Sequence, residues 1–387
     1  MNGKCFALLL SLALSGAAFA DDNDPMHASF STLITTPLSI EGLTNDSQGN
    51  LYTTGRALAA TDTCPVYRIP IDNPSVTIVG LIPPGATAAC NPSGLQFGPD
   101  GQLYVTQTDR IYRLVPDAAN PPTATVFATG IPGTNGIAFD WNGNLWTGDG
   151  TTNVGRVWRI SPQGVATEVF RIPPMTNDVS VNGSVGVGRD VRTVPPATVN
   201  AARNATNALG SQGLVANGLQ FFNHRLVIAD TARGALWRVR VNEDSSVSAH
   251  TGCDSTFTAN TLCMDHIAVQ HPLLEGADGF VFDENGSAWV DANERNAVIF
   301  VGHDKGVVEV FRNPASATTK LRNEGPLETP TSPILFGHKL CTANSDGNRR
   351  DNFPNTAGEI GGPGQPKGKI ACLDQRVNVP GLPLPVH

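Results

Sequence analysis

One unit recurs six times along this chain, and it limits the folds available more than any other feature. GLTNDSQGNLYTT from Gly42, GLQFGPDGQLYVT from Gly94 and GIAFDWNGNLWTG from Gly136 follow a single template: glycine, a hydrophobic or mixed tetrad, a polar turn and a short apolar run. The template returns with a shortened turn as GLQFFNHRLVIAD from Gly218, in full as GFVFDENGSAWVD from Gly279, and most degenerately as PILFGHKLCTA from Pro333. The QG, DG and NG pairs between apolar runs signal hairpins, because glycine takes the positive φ that such turns require.

A third strand is expected after each hairpin, at PVYRI (65–69), RIYRL (110–114), RVWRI (156–160), ALWRV (235–239), AVIFV (297–301) and KIACL (369–373). A fourth follows most of them, as in SVTIVGL from Ser75, ATVFATG from Ala124 and VATEVFRI from Val165. The unit starts lie 52, 42, 82, 61 and 54 residues apart, which suits radial repetition of blades with one large insertion. The pattern predicts an all-β chain: a six-bladed β-propeller with four-stranded antiparallel blades, forming a single domain over 21–387. FSTLITTP at 30–37 is expected to pair into the last blade, closing the ring and removing exposed edges. Forty glycines and 29 prolines in 387 residues agree, implying many tight turns and few long helices. The long interval predicts an insertion at about 173–213, with a short helix in PPATVNAARNATNALG, serving either as a lid over one face or as a surface loop.

Residues 1–20 read as a cleavable secretory signal: Lys4, an apolar run from Phe6 to Leu14, then Ala18-Phe19-Ala20 before two aspartates. The run is far short of the ~20 residues that span a bilayer, so no membrane span is expected and the product is periplasmic or secreted. Cys5 leaves with the signal. Six cysteines remain for an oxidising compartment, and sequence neighbours are expected to pair: Cys64 with Cys90, Cys253 with Cys263, Cys341 with Cys372. No CxxC or Cys/His spacing suggests zinc, and His224, His266, His271, His303 and His338 show no paired metal spacing. Net charge is −8 with no basic run, which argues against a nucleic-acid partner. No GxSxG elbow or P-loop is present. Asp230 and Arg233, in IADTARGALWRV, are expected to stabilise a blade turn.

The residue before each repeat glycine falls where six innermost strands converge, giving a polar ring of Glu41, Ser93, Asn135, Asn217, Asp278 and Ser332. Unpaired polar groups are costly in a core layer, and two carboxylates brought together repel. Carboxylate and amide oxygens without histidine or thiolate suit Ca²⁺, which takes six to eight oxygen ligands. A channel filled by water and mutual hydrogen bonds is the alternative.

Glu41-Gly42, Thr134-Asn135-Gly136, Ala216-Asn217-Gly218 and Ala277-Asp278-Gly279, in that order, resemble the gluconolactonase and regucalcin (SMP-30-like) family of calcium-dependent six-bladed propellers. The resemblance covers about residues 30–375. Paraoxonases and diisopropyl fluorophosphatase are similar in the same four places. The resemblance implies that Glu41, Asn217 and Asp278 bind the catalytic metal, Ca²⁺ or another divalent cation. Asn135 joins them or holds substrate beside the metal. It also implies that Asp278 acts as base or nucleophile on a lactone whose carbonyl the metal polarises. Sugar-lactone members carry an arginine where this chain has Gly133, and their sugar-binding acid is not evident in GDGTTNVGRVWRI; Arg156 or the insertion would have to compensate. The function expected is therefore that of an exported Ca²⁺-dependent hydrolase of an unspecified lactone or ester. The alternative is a non-enzymatic ligand- or protein-binding propeller with structural calcium. A strictosidine synthase-like carbon–carbon bond former ranks last, since such relatives do not depend on the metal ring.

Overall fold

A computed structural model describes residues 28–85, 89–152, 154–173, 216–255, 257–313, 325–345 and 367–383. The expected signal at 1–20 lies outside these residues, as does the expected insertion at about 173–213 apart from Pro173 itself.

Six antiparallel sheets follow one another along the chain. The first comprises β2 (Thr44–Asn45), β3 (Asn50–Thr54), β4 (Cys64–Pro70) and β5 (Thr77–Ile82). The second comprises β6 (Pro92–Phe97), β7 (Leu103–Gln107), β8 (Arg110–Leu114) and β9 (Thr125–Thr129). The third comprises β10 (Thr134–Phe139), β11 (Leu145–Asp149), β12 (Arg156–Ile160) and β13 (Ala166–Arg171). The fourth comprises β14 (Ala216–Phe222), β15 (Arg225–Asp230), β16 (Ala235–Val241) and β17 (Val247–Ser248), and the fifth β19 (Ala277–Phe282), β20 (Ala288–Ala292), β21 (Ala297–Val301) and β22 (Val307–Arg312). The sixth takes β23 (Pro330–Phe336), β24 (Lys339–Asn344) and β25 (Gly368–Leu373) from one end of the chain and β1 (Phe30–Thr36) from the other. The β1 strand pairs with β25 from Phe30↔Leu373 to Thr36↔Gly368, so the first strand closes the ring as expected. The six-bladed β-propeller is the fold of this chain.

The fourth blade departs from the four-strand template. Its outer strand β17 has two residues, and β18 (Ile267–Gln270) pairs with β16 beside it. The chain between β17 and β18 carries the Cys253–Cys263 disulfide and an isolated antiparallel bridge between Thr251 and Leu262 in place of a regular edge strand.

The hairpin turns work as their residues require. Asp46, Asp100, Asp140 and Asp283 each accept, through Oδ1, the backbone N–H two residues on, at 2.8–3.1 Å. The next glycine in each turn, Gly49, Gly101, Gly143 or Gly286, has φ between 74° and 83°. In three of these turns the same carboxylate also takes an aromatic donor from the following strand: Tyr52 Oη at 3.0 Å, Tyr104 Oη at 2.9 Å and Trp146 Nε1 at 2.9 Å. Burial, reinforced by Asp46, pushes the Tyr52 hydroxyl up to about 12, so it remains a donor. The shortened turn of the fourth blade puts Asn223 and His224 in the left-handed region, at φ 47° and 56°.

The core lies between blades. Six clusters of buried side chains each join two neighbouring blades, as where Trp146 and Phe170 of the third blade meet Phe221 and Trp237 of the fourth. Cys64–Cys90, Cys253–Cys263 and Cys341–Cys372 form the three expected disulfides. The last joins directly opposed residues of β24 and β25, beside the closing strand.

Candidate metal centre at the propeller axis

Ring closure brings the repeat glycines against the backbone of the next blade. A Cβ on Gly42 would lie 2.3 Å from the Ser93 carbonyl oxygen, on Gly94 2.4 Å from that of Asn135, and on Gly136 2.9 Å from that of Asn217. On Gly218 it would lie 2.6 Å from the Asp278 carbonyl oxygen, and on Gly279 2.5 Å from that of Thr331. Glycine recurs because neighbouring inner strands approach too closely for a side chain. The circuit closes where Thr331 Oγ1 donates to the Glu41 carbonyl at 2.7 Å.

Ring residues fall at breaks in the strand ladders. Register shifts occur between Pro92 and Leu95, Thr134 and Ile137, Ala216 and Leu219, and Ala277 and Phe280. Ser93, Asn135, Asn217 and Asp278 each occupy such a break, where a strand re-aims its side chains. Asn135, Asn217 and Asp278 are 5–7 % exposed, deep burial for residues of this polarity. The axial cavity beyond the ring, about 70 Å³, is lined by the residues that follow it, including Leu43, Gln96, Ile137 and Gln220.

The protein holds each ring side chain differently. Asn217 donates Nδ2 to Thr231 Oγ1 at 3.2 Å, committing its amide nitrogen to the wall and leaving oxygen as the donor atom it can offer a cation. Asn293 donates Nδ2 to Asp278 Oδ2 at 2.7 Å. The amide of Asn135 packs against Gly150, where a Cβ would lie 2.2 Å from Nδ2. Glu41 forms an ion pair with Arg56. Two carboxylates and two amides, partly buried and supported from behind, fit a hard divalent cation.

Sequence reasoning missed Asp291. It lies on β20, buried, and its Oδ2 accepts from Thr342 Oγ1 of the sixth blade, while Oδ1 has no hydrogen-bond partner. Burial, and secondarily the charge of Asp278, holds its carboxyl well above the usual carboxylate range. The available signal was an aspartate inside the otherwise apolar run AWVDA.

The positions expected to meet a substrate, Gly133 and Arg156, have defined surroundings. Gly133 has φ 78°, and a Cβ there would lie 2.1 Å from Asp149 Oδ1. An arginine at this position would therefore be strained and would collide. Arg156 stands 3.6 Å from Asp149 and 3.7 Å from Glu168, placing its charge among acids of its own blade. Asp230 accepts from Arg233 N at 3.0 Å, Arg233 NH1 at 2.9 Å and Trp237 Nε1 at 3.0 Å, the turn-stabilising role expected.

No protein-family model matches the chain, and no curated protein matches it. Among solved structures it is similar to a calcium-binding protein, regucalcin, from Agrobacterium tumefaciens, at TM-score 0.56 and 17% identity, over 93% of this chain and 97% of that one. It is also similar to a luciferin-regenerating enzyme, at TM-score 0.53 and 14% identity, over 92% and 97% of the two chains. A third match is the PQQ-bound aldose sugar dehydrogenase of Streptomyces coelicolor, at TM-score 0.52 and 15% identity, over 90% and 99%. These likenesses establish a shared propeller fold, on which different activities stand.

Proposed function

We propose that this chain is an exported, Ca²⁺-dependent hydrolase of a lactone or related ester, with Glu41, Asn135, Asn217 and Asp278 holding the cation. The observation that carries the proposal is the set of buried oxygen donors at ladder breaks around the axis. Export rests on the leader pattern of residues 1–20 and on the three disulfides.

When bound, Ca²⁺ would polarise the substrate carbonyl as a Lewis acid. Asp278 takes the proton of the attacking water or attacks the carbonyl itself, and Asn293 holds its carboxylate for either role. Asn135 orients the substrate or completes the cation's donor set. With glycine at 133 and Arg156 among acids, the site suits a lactone or ester with few hydroxyls better than a sugar lactone.

The Glu41–Arg56 ion pair supports a second reading, a binding propeller whose calcium is structural, because it supplies Glu41 with a cation from the protein itself. Asp278→Asn separates the two. The hydrolase reading predicts loss of turnover with an unchanged circular dichroism spectrum; an active, folded variant would overturn it.

A further inference from the structure

The loop between β17 and β18 brings together three metal-ligating side chains that the sequence separates. The donor atoms of His250, Cys253 and Cys263 all lie within 4.8 Å of one another. His250 Nε2 is 3.6 Å from Cys253 Sγ. A tetrahedral zinc with Zn–S ~2.3 Å and Zn–N ~2.0–2.1 Å has an N···S edge of about 3.6 Å, so these two atoms already stand at ligand spacing. The other ring nitrogen, Nδ1, is 3.0 Å from Asp265 Oδ2. A carboxylate on the far nitrogen of a ligating histidine fixes its tautomer and raises its basicity. The loop backbone is pinned as well: the His250 N–H donates to His266 Nε2 at 2.8 Å, and His266 Nδ1 is 3.1 Å from the Arg238 carbonyl oxygen.

What occupies the two sulfurs is the disulfide bond between them. Its Cα atoms are 5.5 Å apart, and Cys253 is exposed whereas Cys64, Cys90, Cys341 and Cys372 are all buried. An external thiol therefore reaches this disulfide before the other two.

We propose that reduction of Cys253–Cys263 converts the loop into a zinc site, with Cys253 Sγ, Cys263 Sγ and His250 Nε2 as ligands, Asp265 orienting His250, and a fourth position open to water. A dithiol supplies two electrons and two protons: its thiolate attacks one sulfur, the S–S bond breaks, and its second thiol closes to the dithiol's own disulfide. Two cysteine thiols result. Metal binding then displaces their protons to solvent, giving two S–metal bonds. The sulfurs separate to roughly 3.8 Å, the S···S edge of the same tetrahedron, a movement open to the exposed Cys253 side chain.

The test is limited anaerobic reduction of the whole protein with a dithiol, removal of the dithiol, and titration with Co²⁺ as the spectroscopic stand-in for zinc. Alkylation and peptide mass mapping should show Cys253 and Cys263 opening first. One equivalent of cobalt should then give the visible bands of a tetrahedral site and a thiolate charge-transfer band, and zinc should displace it. The oxidised protein and the Cys253→Ser/Cys263→Ser double variant should give neither band. Asp265→Asn should weaken binding about 10- to 100-fold, and His250→Ala, which removes a ligand, should weaken it further. The proposal is overturned if the reduced wild type shows no charge-transfer band, if the double variant keeps it, or if another disulfide opens first.

Discussion

Asn293 donates a 2.7 Å hydrogen bond to Oδ2 of Asp278, and both side chains are buried at the end of the propeller axis. Asn293 lies 15 residues downstream, just past the end of β20, so the contact depends on the blade being folded. Asn293→Ala should lower turnover about 10- to 100-fold while Asp278 stays in place. Steady-state kinetics check this: the loss should fall on kcat rather than KM.

The burial of Asp291 has a pH signature. Folding raises the Asp291 carboxyl above its ordinary 3.8, chiefly through burial, so the folded state holds a proton that the unfolded chain releases. This cost is absent well below pH 3.8, grows as pH rises toward the folded pKa, and levels off above it. Asp291→Asn should therefore raise the melting temperature at neutral pH and leave it nearly unchanged in acid. Thermal melts across pH in the presence of chelator measure the difference.

Much of this architecture was legible because the repeat has a direct physical cause. The glycine that opens five of the six units marks the close approach of inner strands, and the turns that pair an aspartate with a positive-φ glycine fix hairpin register, so blade number, strand order and ring positions could be read from residue spacing. The disulfide pairs followed the order of the cysteines along the chain, each bonding its sequence neighbour, and in the sixth blade that neighbour is the directly opposed residue of the adjacent strand. The side-chain contacts around the ring were not legible. Arg56 on Glu41 and Asn293 on Asp278 within a blade, and Asp291 on Thr342 across two, depend on how strand ends and sheets meet, which a periodicity does not encode. The His250–Cys253–Asp265 grouping was hidden similarly, because the loop is shaped by a disulfide and not by a strand pattern.

Gly218→Ala should cost about 1–3 kcal/mol, since the added methyl would meet backbone and not a yielding side chain. A Cβ there lies 2.6 Å from the Asp278 carbonyl oxygen and 2.7 Å from Gly279 Cα. The same displacement shifts Asp278, so calcium affinity should fall together with stability. Denaturant unfolding and calcium titration of one variant test both effects.

The Cys341–Cys372 bond secures the blade that β1 completes. Replacing both cysteines by serine should cost about 2–5 kcal/mol and leave the edge strand easier to detach. Hydrogen exchange at Phe30–Thr36 should rise before exchange elsewhere in the sixth blade.

The most direct test of the central claim is hydrolysis of a lactone and aryl-ester panel by the mature protein, first with EDTA and then after Ca²⁺ is added back. The account predicts activity on at least one panel member that chelation abolishes and Ca²⁺ restores, with Asp278→Asn inactive throughout. Hydrolysis that persists in EDTA, or a complete absence of hydrolysis while EDTA still lowers the melting temperature, would contradict it; the second result would assign the ring a structural cation.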